Sequence, residues 1–338
     1  MNAPRIAIGK VIADVSSSTL RFYRQIGVEA VTMPSRWNVR VTPTRPHIPP
    51  TQRGPAPALP PPWDRALLAR IKERIEAFDL AVGAINLPVS GNILMGLPGR
   101  DADIEAIGTC LRVAGELGIP VAAYNFTALR PSEGYGSLDG QGRGGADLRD
   151  YDAARVADQS PVEGVGRHDA EAMWARLEYF LEAVVPMAEA AGVRIAVHPN
   201  DPPVPVFRGV AQPLSDLAGL RRLLAAVDSP YNCLFMDTGV ITELGEDAAA
   251  AIREFGPRIA TVHFRNVRVL EPRYRYVETF HDEGDADLLE CMRAFHEVGY
   301  EGMLDPDHTP RLSGDGLDMR QGFALAVGQM IALRRAVT

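Results

Sequence analysis

Four short apolar runs in the second half of the chain each end in a residue that can ligate a metal or move a proton. RIAV runs into His198, followed by Pro199, Asn200 and Asp201; CLFM runs into Asp237; TV runs into His263; and EGMLDP leads to Asp307 and His308. Two imidazoles and two carboxylates form a mixed nitrogen and oxygen donor set suited to Mn²⁺, Fe²⁺, Co²⁺ or Mg²⁺, and able to hold Zn²⁺. Taken singly, each residue has a plainer role. A strand-end histidine is commonly a hydrogen-bonded structural group, and an aspartate before Thr-Gly, like Asp237, makes a turn or caps a helix. Together they point elsewhere, because gathering several ionisable groups in one place is costly unless they bind a cation or one another. A metal site of His198, Asp237, His263 and Asp307 is therefore expected. Cys233 precedes Asp237 by four residues, on the same side of the strand but about 13 Å deeper at ~3.3 Å per residue. It is expected to be a buried, inert thiol.

These residues need a scaffold that brings four strand ends to one rim. Eight candidate strands run along the sequence: Ile6–Val15, Ala30–Met33, Leu80–Leu87, Val121–Phe126, Arg194–His198, Asn232–Asp237, Ile259–Phe264 and Gly302–Asp307. Between most of them lie segments with helical spacing, such as DRALLARIKERIEAFDL and EAMWARLEYFLEAVVPMAEAAG. Strand–helix alternation predicts a parallel sheet covered by helices. Eight repeats predict a single (β/α)₈ TIM barrel over residues 1–338, in which strand C-termini line one catalytic face. No G-x-G-x-x-G follows the first strand, so a dinucleotide-binding sheet lacks its main support. Two insertions enlarge the barrel. Residues 43–62 hold nine prolines in twenty positions, which excludes regular helix or sheet and predicts a surface loop. A Gly/Asp-rich segment after the fourth strand, within residues 131–168, is expected to be a lid loop.

Composition narrows the partners. The 338 residues are 46% hydrophobic and 23% charged, with a formal net charge of −8, as in a globular protein. No basic stripe is present to neutralise phosphates, so nucleic acid is not an expected partner. No apolar run reaches the ~18 residues of a membrane span. The N-terminus lacks the pattern of a secretory signal. Three cysteines without C-x-x-C spacing argue against a disulfide framework and for a reducing compartment. A cytoplasmic location and a small-molecule partner are expected, and self-association into a homo-oligomer is left open.

In order along the chain, HPNDPP, VHFRNV, FHDEGDADLLECMRAFHEVGYEG and DPDH resemble the mannonate dehydratase family, within the xylose-isomerase-like barrels. YNF at 124–126 and the later LRDYD also fit its pattern, and the resemblance runs with gaps from about Leu80 to His308. It implies dehydration of a six-carbon sugar acid, mannonate, to 2-keto-3-deoxygluconate at a divalent metal, Mn²⁺ first, with Fe²⁺, Co²⁺ or Mg²⁺ as alternatives. The implied ligands fall on His198, Asp237, His263 and Asp307, and the implied acid/base histidine on His308. A metal there would acidify the proton at C2; a base must then remove it and an acid must protonate the departing 3-hydroxyl. Arg265 is expected to act on the substrate carboxylate through its bidentate fork, with Asn266 beside it; a rim salt bridge is the plainer role for Arg265. Asn200, Asp201 and His281 complete the expected substrate contacts, His281 meeting a hydroxyl. His47, His168 and His296 do not match and are read as structural or solvent-facing.

The sequence departs from the family in three places. Asp237 stands where the family normally has a cysteine, which favours oxygen-preferring metals. The C-terminal DPDHTPRLSGDGLDMRQG lacks the family's tyrosine, leaving Asp315 or Asp318 as chemical substitutes. The first two strands and the proline-rich insertion match poorly. These differences keep two other functions in view: a metal-dependent sugar isomerase or epimerase, and a sugar-binding protein without catalysis.

Overall fold

In the computed structural model, residues 6–35, 62–129 and 133–338 are described. Their strands, in chain order, are β1 (Ala7–Val11), β2 (Ala30–Met33), β3 (Ala81–Asn86), β4 (Val121–Asn125), β5 (Tyr135–Leu138), β6 (Leu148–Asp152) and β7 (Arg194–His198). The remainder are β8 (Val206–Phe207), β9 (Val210–Ala211), β10 (Asn232–Asp237), β11 (Ile259–His263), β12 (Val267–Glu271), β13 (Arg275–Glu278) and β14 (Met303–Asp305). Eight of them close a barrel in the order β1, β2, β3, β4, β7, β10, β11, β14, and every pair is parallel. These are the eight strands expected from the apolar runs, trimmed at their ends. With helices packed around them they form a (β/α)₈ TIM barrel.

Inward-facing residues explain how the barrel fills. Ala30, Ala84, Val121, Ala123, Ala196, Cys233, Phe235, Ala260 and Met303 form one buried cluster in its interior, mostly small side chains plugged by two large ones. Cys233 lies in this layer as expected, its Sγ accepting from Arg194 Nε at 3.1 Å. A second, larger cluster holds the helices onto the outer face of the strands. Helix Arg65–Glu76 buries Leu68, Ile71 and Ile75, the three- and four-residue spacing of an amphipathic face. Helix Ala170–Ala191 starts where Asp169 accepts from Ala172 N–H and ends at Gly192, whose φ of 67° only glycine adopts readily.

The segment after β4 is not a formless lid. The proline-rich insertion lies outside the described residues except for Pro62, as does His47. Beyond residue 132, however, the Gly/Asp-rich segment contributes β5 and β6 to a four-stranded antiparallel sheet of order β12, β13, β6, β5. The other two strands come from the excursion after β11, so two loops of the barrel mouth build one sheet together. The segment expected as a lid loop thus carries ordered strands at the barrel mouth. Antiparallel pairing with β13, in which Arg149 lies directly opposite Glu278 129 residues downstream, is what orders it.

Candidate active site at the barrel mouth

Three barrel strands deliver the central residues in register. His263 pairs directly with Asp237 across β10 and β11, and His198 ends β7 on the other side of β10. His198 Nε2 lies 3.2 Å from Asp237 Oδ2 and 3.1 Å from His263 Nδ1. His263 Nδ1 is 3.3 Å from the same Oδ2. Asp307 Oδ2 approaches His263 Nδ1 to 3.4 Å. The four expected ligands therefore converge. Asp307 reaches the group from two residues beyond the end of β14, with a φ of 49° that turns the chain back toward the mouth.

The donor chemistry fits a cation. His198 Nδ1 lies 2.7 Å from Pro199 O, which assigns the proton to Nδ1 and leaves the Nε2 lone pair facing the cluster. Asp237 serves in two ways. Its Oδ1 accepts from Val240 N–H at 2.9 Å and caps the helix Thr238–Glu243, while its Oδ2 faces the histidines. The plain role and the chemical role of this residue hold together. His198, Asp237 and His263 form a candidate metal-binding triad, their ligand atoms all within 4.8 Å of one another. Four carboxylates, from Asp201, Asp237, Glu278 and Asp307, crowd the mouth against the guanidiniums of Arg149 and Arg265. A bound dication would offset that excess of negative charge.

Arg265 does not face an incoming substrate. Only 1% of it is exposed. Its Nε donates to Asp237 Oδ2 at 3.0 Å, Nη1 to Glu243 Oε1 at 2.8 Å and Nη2 to Asp201 Oδ2 at 3.1 Å. The guanidinium fits because residue 239 is glycine; a Cβ there would lie 2.6 Å from Arg265 Cζ. Burial works to raise the pKa of Asp237, but Arg265 and the histidines outweigh it and hold it well below the ordinary carboxylate range. The expected carboxylate clamp is thus corrected to an internal counter-charge. Burial and the nearby Asp201 carboxylate push Glu243 the other way, well above its ordinary value.

Several expected substrate contacts are also engaged by the protein itself. Asn200 Oδ1 accepts from Leu214 N–H at 2.8 Å and fixes the loop after β7. Asp201 Oδ1 accepts from the hydroxyls of Tyr135 and Tyr276, while its Oδ2 takes Arg265. Asn266 donates to the carbonyls of His281 and Ala286 and accepts from the N–H groups of Val267 and Ala286, all at 3.0 Å. Gly284 packs against it so closely that a Cβ would lie 2.0 Å from Asn266 Oδ1. The polar atoms of these three residues are thus occupied by partners within the protein. His281 is 4% exposed, and among the described residues neither of its ring nitrogens has a hydrogen-bond partner. Burial lowers its pKa to about 4, so the ring is neutral at physiological pH. Asp315 accepts from Leu312, Gln321 and Gly322 N–H, and Asp318 pairs with Arg320. His168 is structural, between Val165 O and Arg176.

The sheet supplies what sequence reasoning missed. Glu278 and Arg149 are directly opposed on β13 and β6, and Tyr276, Tyr151 and Tyr135 are aligned two residues along. Residues two apart or directly paired share a face of a sheet, so this face carries a charge pair and three tyrosines. Glu278 Oε1 accepts from Arg149 Nη1 at 2.8 Å and lies 3.0 Å from His308 Nδ1. Burial works to raise the pKa of Glu278, but Arg149 and His308 overcome it and hold it at about 2. Burial likewise opposes charge on His308, yet Asp307 and Glu278 outweigh it and raise its pKa, with Arg149 acting against them. His308, beside Asp307, stands between the ligand cluster and the sheet.

A parallel eight-stranded barrel with ionisable donors gathered at its strand C-termini defines the class: a TIM barrel with a polar site on its catalytic face. The structure of a xylose isomerase domain protein from Alicyclobacillus acidocaldarius matches with a TM-score of 0.64 over 98% of this chain and 99% of that one, at 14% identity, which speaks for the fold alone. The family model described as D-mannonate dehydratase (UxuA) matches residues 145–335. A mannonate dehydratase from Thermotoga neapolitana is 30% identical over 302 residues, covering 78% of this chain and 82% of that protein. The crystal structure of mannonate dehydratase from Streptococcus suis serotype2 matches with a TM-score of 0.80 at 25% identity, over 99% of this chain and 94% of that one. The chain belongs to the D-mannonate dehydratase family. It is accordingly a sugar-acid dehydratase, a carbon–oxygen lyase. Among the described residues, no helix is long and apolar enough to cross a membrane.

Proposed function

We propose that this protein removes water from a six-carbon aldonate of the mannonate type, giving a 2-keto-3-deoxy acid, with a divalent metal, Mn²⁺ first, held by His198, Asp237, His263 and Asp307. The observation that carries this reading is the convergence of those four side chains on one rim with His308 directly beside them. When bound, the metal supplies a positive centre that acidifies the proton next to the substrate carboxylate. The reaction transfers the C2 proton to a base in the mouth and expels the 3-hydroxyl, which leaves as water with a proton from an acid; base and acid then re-equilibrate with solvent, and the enol tautomerises to the 2-keto group. His308, whose raised pKa favours its protonated form, gives its proton to the departing hydroxyl. Arg265 keeps Asp237 ionised and aimed at the histidines.

Incubating the Mn²⁺-loaded protein with a panel of six-carbon aldonates tests the proposal. A 2-keto-3-deoxy acid formed from D-mannonate is the expected product. Absence of such a product across the panel overturns the assignment. Deuterium uptake from solvent at C2 with all hydroxyls retained would instead identify an epimerase.

A further inference from the structure

We infer that Arg149 is the receptor for the substrate carboxylate and so the residue that selects an acid over a neutral sugar. The inference rests on the sugar-acid reading above and adds the group that recognises the acid. An anionic substrate approaching this mouth meets Asp201, Glu278 and Asp307 before it meets any compensating charge from Arg265, which is enclosed by carboxylates. A cation with free hydrogen-bond donors is needed, and Arg149 has them. Its side chain is 38% exposed. Nη1 is committed to Glu278, but among the described residues Nε and Nη2 have no partner. Those two atoms form one edge of the planar guanidinium, the edge that takes both oxygens of a carboxylate at once.

The group is also held in place before substrate arrives. The guanidinium carbon sits 3.8 Å from the centroid of the Tyr135 ring, a stacked cation–π arrangement. Glu278, opposite Arg149 in the sheet, grips the other edge, so little rotamer freedom remains to be lost on binding. Arg149 Nη1 is 3.3 Å from His308 Nδ1. The receptor and the acid/base histidine thus belong to one cluster around Glu278. Neighbouring arginines are committed elsewhere, Arg155 to Asp150 and Arg143 to Asp282 and Glu283.

The test compares Arg149→Met and Arg149→Lys with the parent enzyme, Mn²⁺-loaded, using D-mannonate and the neutral alditol of the same chain. Binding of each is measured by calorimetry, and turnover of the acid by steady-state kinetics. A charge-assisted pair of hydrogen bonds corresponds to about a 10- to 100-fold change in affinity. Arg149→Met should raise KM and Kd for the acid by that factor, change kcat far less and leave alditol binding unaltered. Arg149→Lys, which keeps the charge and loses the fork, should fall between and guards against a folding defect in the methionine variant. An unchanged Kd for the acid, or equal weakening of acid and alditol, overturns the inference. If the parent enzyme binds D-mannonate in preference to the alditol but yields no keto acid, the dehydratase proposal fails. In that case loss of the preference in Arg149→Met still upholds Arg149 as the receptor.

Discussion

The two sides of the mouth are held by different means. His198, Asp237 and His263 leave adjacent strands of a closed barrel, each fixed by parallel pairing on both sides and by Arg265 behind Asp237. Arg149, Glu278 and the tyrosines sit on a smaller sheet assembled from two excursions, where Glu278 and Arg149 fix one another across a single antiparallel pair. His308 touches both, within 3.5 Å of Asp307 and 3.0 Å of Glu278. The difference suggests a division of work: the barrel side holds the cation, and the sheet side sets the acid/base group and the substrate. Substitutions on the two sides should then separate metal binding from turnover.

The largest effect belongs to the barrel side. Asp237→Ala removes one ligand, frees Arg265 as an unpaired buried charge and uncaps the helix Thr238–Glu243. Breaking such a buried pair costs about 3–5 kcal/mol, so urea unfolding should show a loss of that order. Elemental analysis after dialysis should find the metal gone, with turnover lost along with it. A fully occupied Asp237→Ala protein would refute the assigned coordination. His308→Asn comes next. It should retain metal while lowering kcat by about 10²- to 10⁴-fold, the usual range for an acid/base group; metal loss in this variant would erase the proposed division. Glu278→Gln is milder. It keeps the shape but loses the charge that pairs with Arg149 and His308, and a drop in kcat/KM of about 10- to 100-fold with metal content unchanged is expected. Full activity in that variant would remove Glu278 from the site.

The same division decides what could be read from the sequence. The barrel side was legible because each ligand interrupts an apolar strand at its last position: RIAV then His198, CLFM then Asp237, IATV then His263. Parallel strand ends in a barrel must meet on one rim, so local patterns sufficed to bring these residues together. The sheet side was not legible. Arg149 and Glu278 are 129 positions apart, in segments that read as loops, and their contact depends on a register that only chain closure sets. Polar type was also a poor guide to direction. Asn200, Asp201, Arg265 and Asn266 stand next to the ligands in sequence, yet their polar atoms turn to backbone groups or buried partners. Gly239 and Gly284 are the legible trace of that turning inward, since each clears space for one of these side chains.

His281 offers the smallest and cleanest test, because it belongs to neither charge-rich side. It follows β13 in the segment leading to helix Leu288–Glu297, and its dry surroundings lower its pKa from 6.5 to about 4. A histidine with a depressed folded value favours the folded state in its neutral form. Its contribution is therefore complete above about pH 6.5 and declines as pH falls toward 4, where protonation first becomes tolerable in the folded protein. Between pH 7.5 and 4.5 this one group should account for a loss of unfolding free energy on the order of 2–3 kcal/mol. His281→Asn removes the titration, so its acid-induced loss should be smaller than that of the parent by about that amount. Taking the difference between the two pH values for each protein cancels any constant packing cost of the substitution. Equal losses in both proteins would mean that His281 finds a proton-stabilising partner, and that acid sensitivity arises in the carboxylate clusters on either side instead.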